Sequence, residues 1–507
     1  MLKGPANQLT DTQGDRKAPV SVKPGEDMVD GHGTVARNAV YLMLGQVVTT
    51  ALAIVFSAAL GRNLGASDFG LYFLIASFTG FAYVLVDWGQ QLYMMREVAR
   101  QPSSGSNLLG TALVLRVVGA ALVAVPSVFV LWTLGYDETT FWYSVAFIAV
   151  SLPFFLAQGY GIVFRARERM GLDAWVSVAN KIALVGLALV ALGFGAGLPG
   201  VLVAQTLAGF VALALAIRLY RQVTTGPLRY SSEIARQILM LGLAPLAFNA
   251  LNNVQPYIDA VLLSKLAPGD VVGWYGAAKN IMNTMLMPAL IIGMASFPRI
   301  TRAAANEDTH RAEVRAALRP IMWLGALAAV GTFLFADDVI AIMYGEGNFV
   351  PSGIILKVYA PGFFLLFVSV LFGVALFSLD REKAFTILKV TSVAICTVLE
   401  LVLIPIFQER TGNGGIGVVV AFVISEIVLV AGAMYMLRQK CLGSDILIDM
   451  ARALGAASVT LAFFWWLPPL PFLIGVPVCI IVYLLCSIGL GLIQRSDVQV
   501  FKALLRK

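Results

Sequence analysis

Runs of about twenty apolar residues recur along almost the whole chain, separated by short polar breaks, and no other feature limits the fold so tightly. A helix lets such a run cross a bilayer, because it satisfies its own backbone hydrogen bonds where water is absent. Counting the runs gives about fourteen spans, at residues 38–60, 69–93, 108–131, 141–164, 174–194, 199–218, 238–263, 271–297, 321–342, 354–379, 384–407, 415–437, 450–467 and 472–493. Of the 507 residues, 59% are hydrophobic and only 13% charged, a balance that belongs in lipid. The expected fold is all-α, a polytopic membrane protein of about 14 transmembrane helices.

The formal net charge of +7 is concentrated in the breaks between spans. Arg116, Lys181, Lys279, Lys357 and Lys389 lie within spans. Of the remaining basic residues, one side of the membrane keeps only Arg62, Lys265 and Arg410. By the positive-inside rule the other side, which holds both termini, is cytoplasmic, and the number of spans is even. No basic face interleaved with aromatics occurs, so nucleic acid is not an expected partner. Residues 1–35 read as a disordered cytoplasmic tail without the order of a cleaved signal. Apolar residues interleave with Arg302, Arg311, Arg315 and Arg319 between Pro298 and Pro320, the pattern of an amphipathic helix on the anionic inner leaflet. The tail at 496–507, with Val500, Phe501, Leu504 and Leu505, has the same character.

Little in the sequence suggests catalysis or a cofactor. Cys396, Cys441, Cys479 and Cys486 have no metal-site or disulfide-framework spacing, and His32 and His310 read as solvated loop residues. No phosphate-binding GxxxxGK[ST] loop occurs, so energy for transport would come from an ion gradient, the membrane potential or the gradient of the cargo.

An internal repeat organises the chain. LGASDFGLY at Leu64 to Tyr72 matches LAPGDVVGWY at Leu266 to Tyr275 at the Leu, Asp, Gly and Tyr positions with one residue inserted, six crossings apart. Parallel repeats of this kind relate two lobes about an axis along the membrane normal, with the substrate path between them. The expected units are an N-lobe at 36–222, a C-lobe at 223–440, a final helix pair at 441–495 and the tail at 496–507.

Ionisable groups inside lipid are candidates for function because burying them is costly. Arg116 in the third span lies too deep to reach either surface, and Lys181 lies in the fifth. Either could face a cavity, or an ion pair with Asp87 could make the role structural. Asn249, Asn252, Asn253, Pro256 and Asp259 fall in the seventh span, with Asn252, Pro256 and Asp259 on one helical face. Tyr275, Lys279 and Asn283 recur every four residues in the eighth, and Asp259 and Lys279 lie at matching distances from the turn at Pro268-Gly269, which suits a salt bridge. The substrate-binding candidates are therefore Arg116, Lys181, Asn249, Asn252, Asp259, Lys279 and Asn283. Asp87, Glu400 and Glu426 are candidates for ion or proton coupling, with Lys389 able to neutralise one of the glutamates. Lys357, Asp337 and Asp338 approach a membrane surface and are discounted. Pro126, Pro153, Pro245, Pro288, Pro361 and Pro405 interrupt spans and are expected to bend them.

RNAVYLMLGQ at Arg37 to Gln46, LGRNLGASDFGLYFLIAS at Leu60 to Ser77, VDWGQQ at Val86 to Gln91 and MREVAR at Met95 to Arg100 together resemble the opening of the oligosaccharide (Wzx-type) flippases. IDAVLLSKLAPGDVVGWYGAAKN at Ile258 to Asn280 and MYGEGNFVPSGIILKVYAPG at Met343 to Gly362 fit the same pattern. These proteins are polysaccharide-transport members of the multidrug/oligosaccharidyl-lipid/polysaccharide (MOP) exporter superfamily. The resemblance implies two pseudo-symmetric six-helix lobes around a central cavity, here followed by two further C-terminal helices, and alternating access. It implies a polyprenyl-diphosphate oligosaccharide as cargo, a bacterial inner-membrane location, and a polymerase and chain-length regulator as partners. A cationic cavity would suit the diphosphate. The rival readings are a lipid II flippase or a cation-coupled multidrug exporter of the same superfamily. A membrane glycosyltransferase is disfavoured because no outer loop is large enough to hold its catalytic groups.

Overall fold

The computed structural model describes residues 27–101, 104–223, 226–437 and 443–493, with side chains from residue 40 onward except those of 244, 248, 252, 253 and 444. His32, Asn252, Asn253, Cys441, residues 1–26 of the expected tail and the segment 496–507 lie outside the described residues or side chains. All regular structure among the described residues is helical. The first lobe contains α1 (Asp27–Asp87), α2 (Gln90–Arg100), α3 (Gly105–Thr133), α4 (Glu138–Ala166), α5 (Met170–Gly193) and α6 (Gly197–Val223). The second contains α7 (Ser232–Leu241), α8 (Leu243–Asn253), α9 (Gln255–Leu266), α10 (Gly269–Met285), α11 (Met287–Ala303), α12 (Glu307–Tyr344), α13 (Val350–Ser378), α14 (Glu382–Thr411) and α15 (Gly414–Leu437). The last two, α16 (Ser444–Trp466) and α17 (Phe472–Gly489), pack on one another and on α12.

Twelve helical stretches are long and apolar enough to cross a bilayer, or thirteen with a bent pair counted as one span. The protein is a multi-pass membrane protein, with fewer such stretches among the described residues than the fourteen spans expected. The difference falls at α1 and at α7–α8. Val40–Asp87 forms one 48-residue stretch, but it turns at Gly65, where φ is 76° and ψ 178°, a conformation open to glycine because it has no Cβ. The seventh predicted span is not one straight helix: Ser232–Leu241 and Pro245–Leu251 meet at 51°, and Val254 separates α8 from α9. Pro288 likewise begins α11 after a break from α10, whereas Pro126, Pro153, Pro361 and Pro405 remain inside helices.

The two copies of the repeat face one another. A Cβ added to Gly70 would lie 2.7 Å from the Gly273 nitrogen, and one added to Gly273 would lie 2.8 Å from the Ala66 carbonyl carbon. Gly70 and Gly273 are equivalent repeat positions, as expected where a pseudo-twofold axis passes between copies. With no side chain at either position, α1 and α10 meet almost backbone to backbone. At the opposite end, the Trp88 indole N–H donates to the Leu239 carbonyl at 3.0 Å. The lobes therefore touch at both ends of the space between them.

Two expectations for the cytoplasmic surface are overturned. The basic stretch of 298–320 is not an amphipathic helix left on lipid. Arg311, Arg315 and Arg319 recur every four residues along one face of α12 and meet Asp445 and Asp449, spaced by four on α16. Arg315 Nε lies 2.9 Å and Arg319 Nε 3.4 Å from Asp449 Oδ2, and Arg452 closes on Oδ1 at 3.3 Å. A carboxylate on a neighbouring helix competes well with anionic lipid for these cations, because it is fixed in place and fully buried. His310 is also not a solvated loop residue. It lies in the first turns of α12, 1% exposed, with Nε2 2.8 Å from Ser378 Oγ of α13.

Candidate functional site

Two cavities adjoin, one between the lobes and one lined mainly by the first. The larger, about 890 Å³, is bounded by both legs of α1, by α5, and by α9 to α12 of the second lobe. Its polar wall includes Gln46, Ser57, Asn280, Asn283, Thr284 and Lys181. Ser57 and Asn280 are tied together: the Asn280 amide donates to Ser57 Oγ at 3.1 Å, and Ser57 shares a 2.8 Å hydrogen bond with the Tyr344 hydroxyl. Among the described residues, Lys181 is the one charged group on this wall, and no carboxylate lies within salt-bridge distance of it. Its ammonium stands 5.7 Å from the centre of the Phe56 ring, within the range of cation–π attraction. A charge placed this deep without a counter-ion can accept an anionic ligand.

The smaller cavity, about 480 Å³, shares Ala76 and Gly80 with the first. Asp87 and Asn249 line it, together with uncharged polar and aromatic side chains of α1, α4 and α6. An apolar groove of about 520 Å³ opens on the other side, between α17 and the α10–α13 face. Ile281, Thr284, Met285 and Val339 are common to this groove and the larger cavity.

Arg116 lines neither cavity. At 1% exposure its guanidinium donates to Asp87 Oδ1 at 2.7 Å, to the Phe155 carbonyl at 2.6 Å and to Gln90 Oε1 at 3.3 Å, and it stacks 4.2 Å over the Phe155 ring. The ion pair with Asp87 is thus the observed arrangement, and Arg116 braces α1, α3 and α4 instead of presenting a cation to cargo. Asp87, its partner, lines the smaller cavity already compensated by that pair.

Lys279 is also sequestered. It is 4% exposed, 3.6 Å from Asp259 Oδ2, and surrounded by the rings of Tyr275, Tyr359 and Phe422 at 5.3 to 5.8 Å. The expected hairpin salt bridge between Asp259 and Lys279 is present. Of the Tyr275, Lys279 and Asn283 stripe only Asn283 reaches the cavity wall, since the stripe winds from the α13 and α15 side towards the lobe interface. The Tyr275 hydroxyl donates to Asp259 at 2.6 Å, and that of Tyr359 donates to Tyr275 at 3.2 Å. Glu400 of α14 stands beside Asp259 and accepts from the Cys396 thiol at 3.3 Å. Asp259 and Glu400 each keep one buried oxygen without a hydrogen-bond partner.

Glu426, 1% exposed, accepts from Ser369 Oγ. Lys389 pairs with neither Glu400 nor Glu426 among the described residues. The discounted Lys357 and Asp337 pair with each other.

Sequence reasoning missed the uncharged polar residues of the smaller cavity, including Thr79, Gln158 and Gln205. Amides in the middle of apolar runs were a visible signal. Ionised groups, being more costly to bury, drew the attention instead.

The family model of polysaccharide biosynthesis proteins matches residues 35–304, more than half of the chain. The chain belongs to this family. Among curated relatives of this polysaccharide-biosynthesis protein, a putative O-antigen transporter of Shigella flexneri is 22% identical over 363 residues, covering 69% of this chain and 86% of that one. A probable low-salt glycan biosynthesis flippase of Haloferax volcanii is 22% identical over 382 residues, covering 74% and 78%. Among solved structures, a lipid II flippase in its inward closed conformation superposes with a TM-score of 0.66, over 93% of this chain and all of that one. At 12% identity this likeness carries the fold alone.

Proposed function

We propose that the protein is a flippase that moves a polyprenyl-diphosphate-linked oligosaccharide from the cytoplasmic to the outer face of the membrane. The observation that carries this reading is the adjacency of a cavity with one uncompensated cation, Lys181, to an apolar groove walled by α17, the two sharing Ile281, Thr284, Met285 and Val339. Such a surface matches an amphiphile whose anionic centre joins a polar head to a long hydrocarbon tail. The diphosphate sits at Lys181, Asn280 and Asn283, and the tail lies along the groove, which gives α17 its role. The O-antigen transporter and glycan flippase among the relatives support the same cargo class. The lipid II flippase and multidrug exporter remain the alternatives of similar fold.

Transport proceeds by alternating access of two lobes, residues 36–222 and 223–440, with 441–495 attached to the second. Both termini face the cytoplasm, the orientation that the distribution of basic residues supports. The Gly70–Gly273 seam then closes the outer end and Trp88 with Leu239 the inner end. Asp259, Glu400 and Lys279 place two carboxylates against one ammonium in a buried cluster, and a proton bound between the carboxylates restores neutrality and offers a coupling site. A polysaccharide polymerase and a chain-length regulator are the partners this place in synthesis calls for.

The test follows lipid-linked oligosaccharide in cells lacking the protein. Wild type clears intermediates from the cytoplasmic face, and Lys181→Ala at matched protein level leaves them there. Unchanged glycan intermediates combined with accumulation of peptidoglycan precursor, or with drug sensitivity, would replace this reading with one of the alternatives.

A further inference from the structure

The smaller cavity differs in chemistry from the larger. Its one charged lining residue, Asp87, is neutralised by Arg116, so the chamber offers an anion no free cation. Its polar lining is made of amides and hydroxyls. Gln91 and Gln158 are exposed to the space and hydrogen-bond to no described residue, while Gln205 donates to Ser151 Oγ at 3.1 Å and keeps its carbonyl oxygen available. Thr79 is 2% exposed, lines the chamber, and its Oγ1 has no hydrogen-bond partner among the described residues. A buried hydroxyl left unpaired is unfavourable unless a ligand or water completes it.

Between these polar groups stand the rings of Tyr83, Phe147, Phe154 and Phe155. Tyr83 and Phe155 are held in place: their centroids are 4.5 Å apart, the Tyr83 hydroxyl donates to the Ile148 carbonyl at 2.6 Å, and Arg116 supports Phe155 from behind. Sugars match this surface, because a pyranose ring carries hydroxyls around its edge and an apolar C–H face above it. Amides, with two donors and an acceptor each, read such hydroxyls without requiring charge. At about 480 Å³ the chamber is of ligand size and abuts the Lys181 cavity, with Ala76 and Gly80 lining both.

We infer that the chamber lined by Thr79, Gln158 and Gln205 is the glycan subsite, which holds uncharged sugar rings while the diphosphate lies at Lys181. This rests on the flippase reading and adds the part that distinguishes one glycan from another. The lipid anchor and diphosphate are common to many cargoes, so selectivity among them falls to this amide and aromatic wall.

The experiment measures binding of two probes to the purified full-length protein: a short-chain polyprenyl diphosphate, and the same lipid carrying a neutral disaccharide. Wild type binds the glycosylated probe more tightly. Thr79→Val, which preserves shape, and the double variant Gln158→Leu/Gln205→Leu each lower that affinity by about tenfold. They leave binding of the sugar-free probe and the melting temperature unchanged, whereas Lys181→Ala weakens both probes. Equal loss for both probes, or no loss in either variant, overturns the subsite while leaving the flippase reading intact. Failure of wild type to bind either probe overturns both.

Discussion

Two cations within apolar spans, Arg116 buried and Lys181 half-buried, have opposite roles, and their partners explain the difference. Arg116 satisfies a carboxylate, an amide and a backbone carbonyl at once, whereas Lys181 meets the edge of a cavity with no counter-ion. Arg116→Ala leaves Asp87 uncompensated between helices and is expected to destabilise the protein by about 3–5 kcal/mol, read as an early thermal transition in detergent. Lys181→Ala is expected to leave that transition in place and to reduce transport about tenfold or more, since a charged hydrogen bond to ligand contributes roughly 1.5–3 kcal/mol. A matching loss of stability in the lysine variant would contradict the division. In the sequence the two residues looked equivalent. Which one has a partner depends on helices far apart in the chain, with Asp87 29 positions from Arg116 and the Phe155 carbonyl 39.

At the scale of elements, the arginine face of α12 and the aspartate face of α16 form a ladder set by the 3.6-residue repeat. Asp449 is fully buried among three arginines, so Asp449→Ala removes the charge that holds them together. The expected outcome is loss of α16 and α17 from the α12 face, detected as faster proteolysis after residue 437 and a transition lowered by about 3 kcal/mol. If the C-terminal pair stays docked, apolar packing of α17 and not the ladder holds it. Because α17 builds one wall of the apolar groove, undocking is expected to reduce transport of long-chain lipid more than that of a short-chain analogue. The arginines were legible as a periodic basic face, yet their partners lie beyond residue 440. A basic amphipathic stripe therefore reads the same whether lipid or another helix covers it.

For the whole molecule, the lobes meet at both ends of the cavity through glycines that let two backbones approach. Gly70 and Gly273 do so at one end, and Gly89 and Gly242 at the other, where Trp88 also reaches Leu239. Gly273→Val forces the first seam apart, because a side chain there meets Ala66 backbone that has nowhere to move. The expected consequence is a shift towards a conformation open at that end. It would appear as faster modification, by an impermeant thiol reagent added outside, of a cysteine placed at Ser57 in a protein with its native cysteines replaced by serine. Unaltered labelling would mean that the seam does not control access.

The sequence by itself determined that the chain is helical and membrane-embedded, because span length and hydropathy follow from the bilayer and need no tertiary contact. It also determined the repeat, since the glycines at 70 and 273 are demanded by an axis at which two backbones meet. The Asp259–Lys279 pair was readable because a short turn fixes the register of the two helices it joins. Only the tertiary structure decided that Arg116 is a brace and Lys181 a cavity group, that the basic face of α12 is covered, that His310 is buried, and that Thr79, Gln158 and Gln205 share one chamber. Each of these depends on which helices become neighbours. In a chain built of apolar spans, helix pairing is governed by shape and by a few polar contacts, and neither names the partner helix in the sequence.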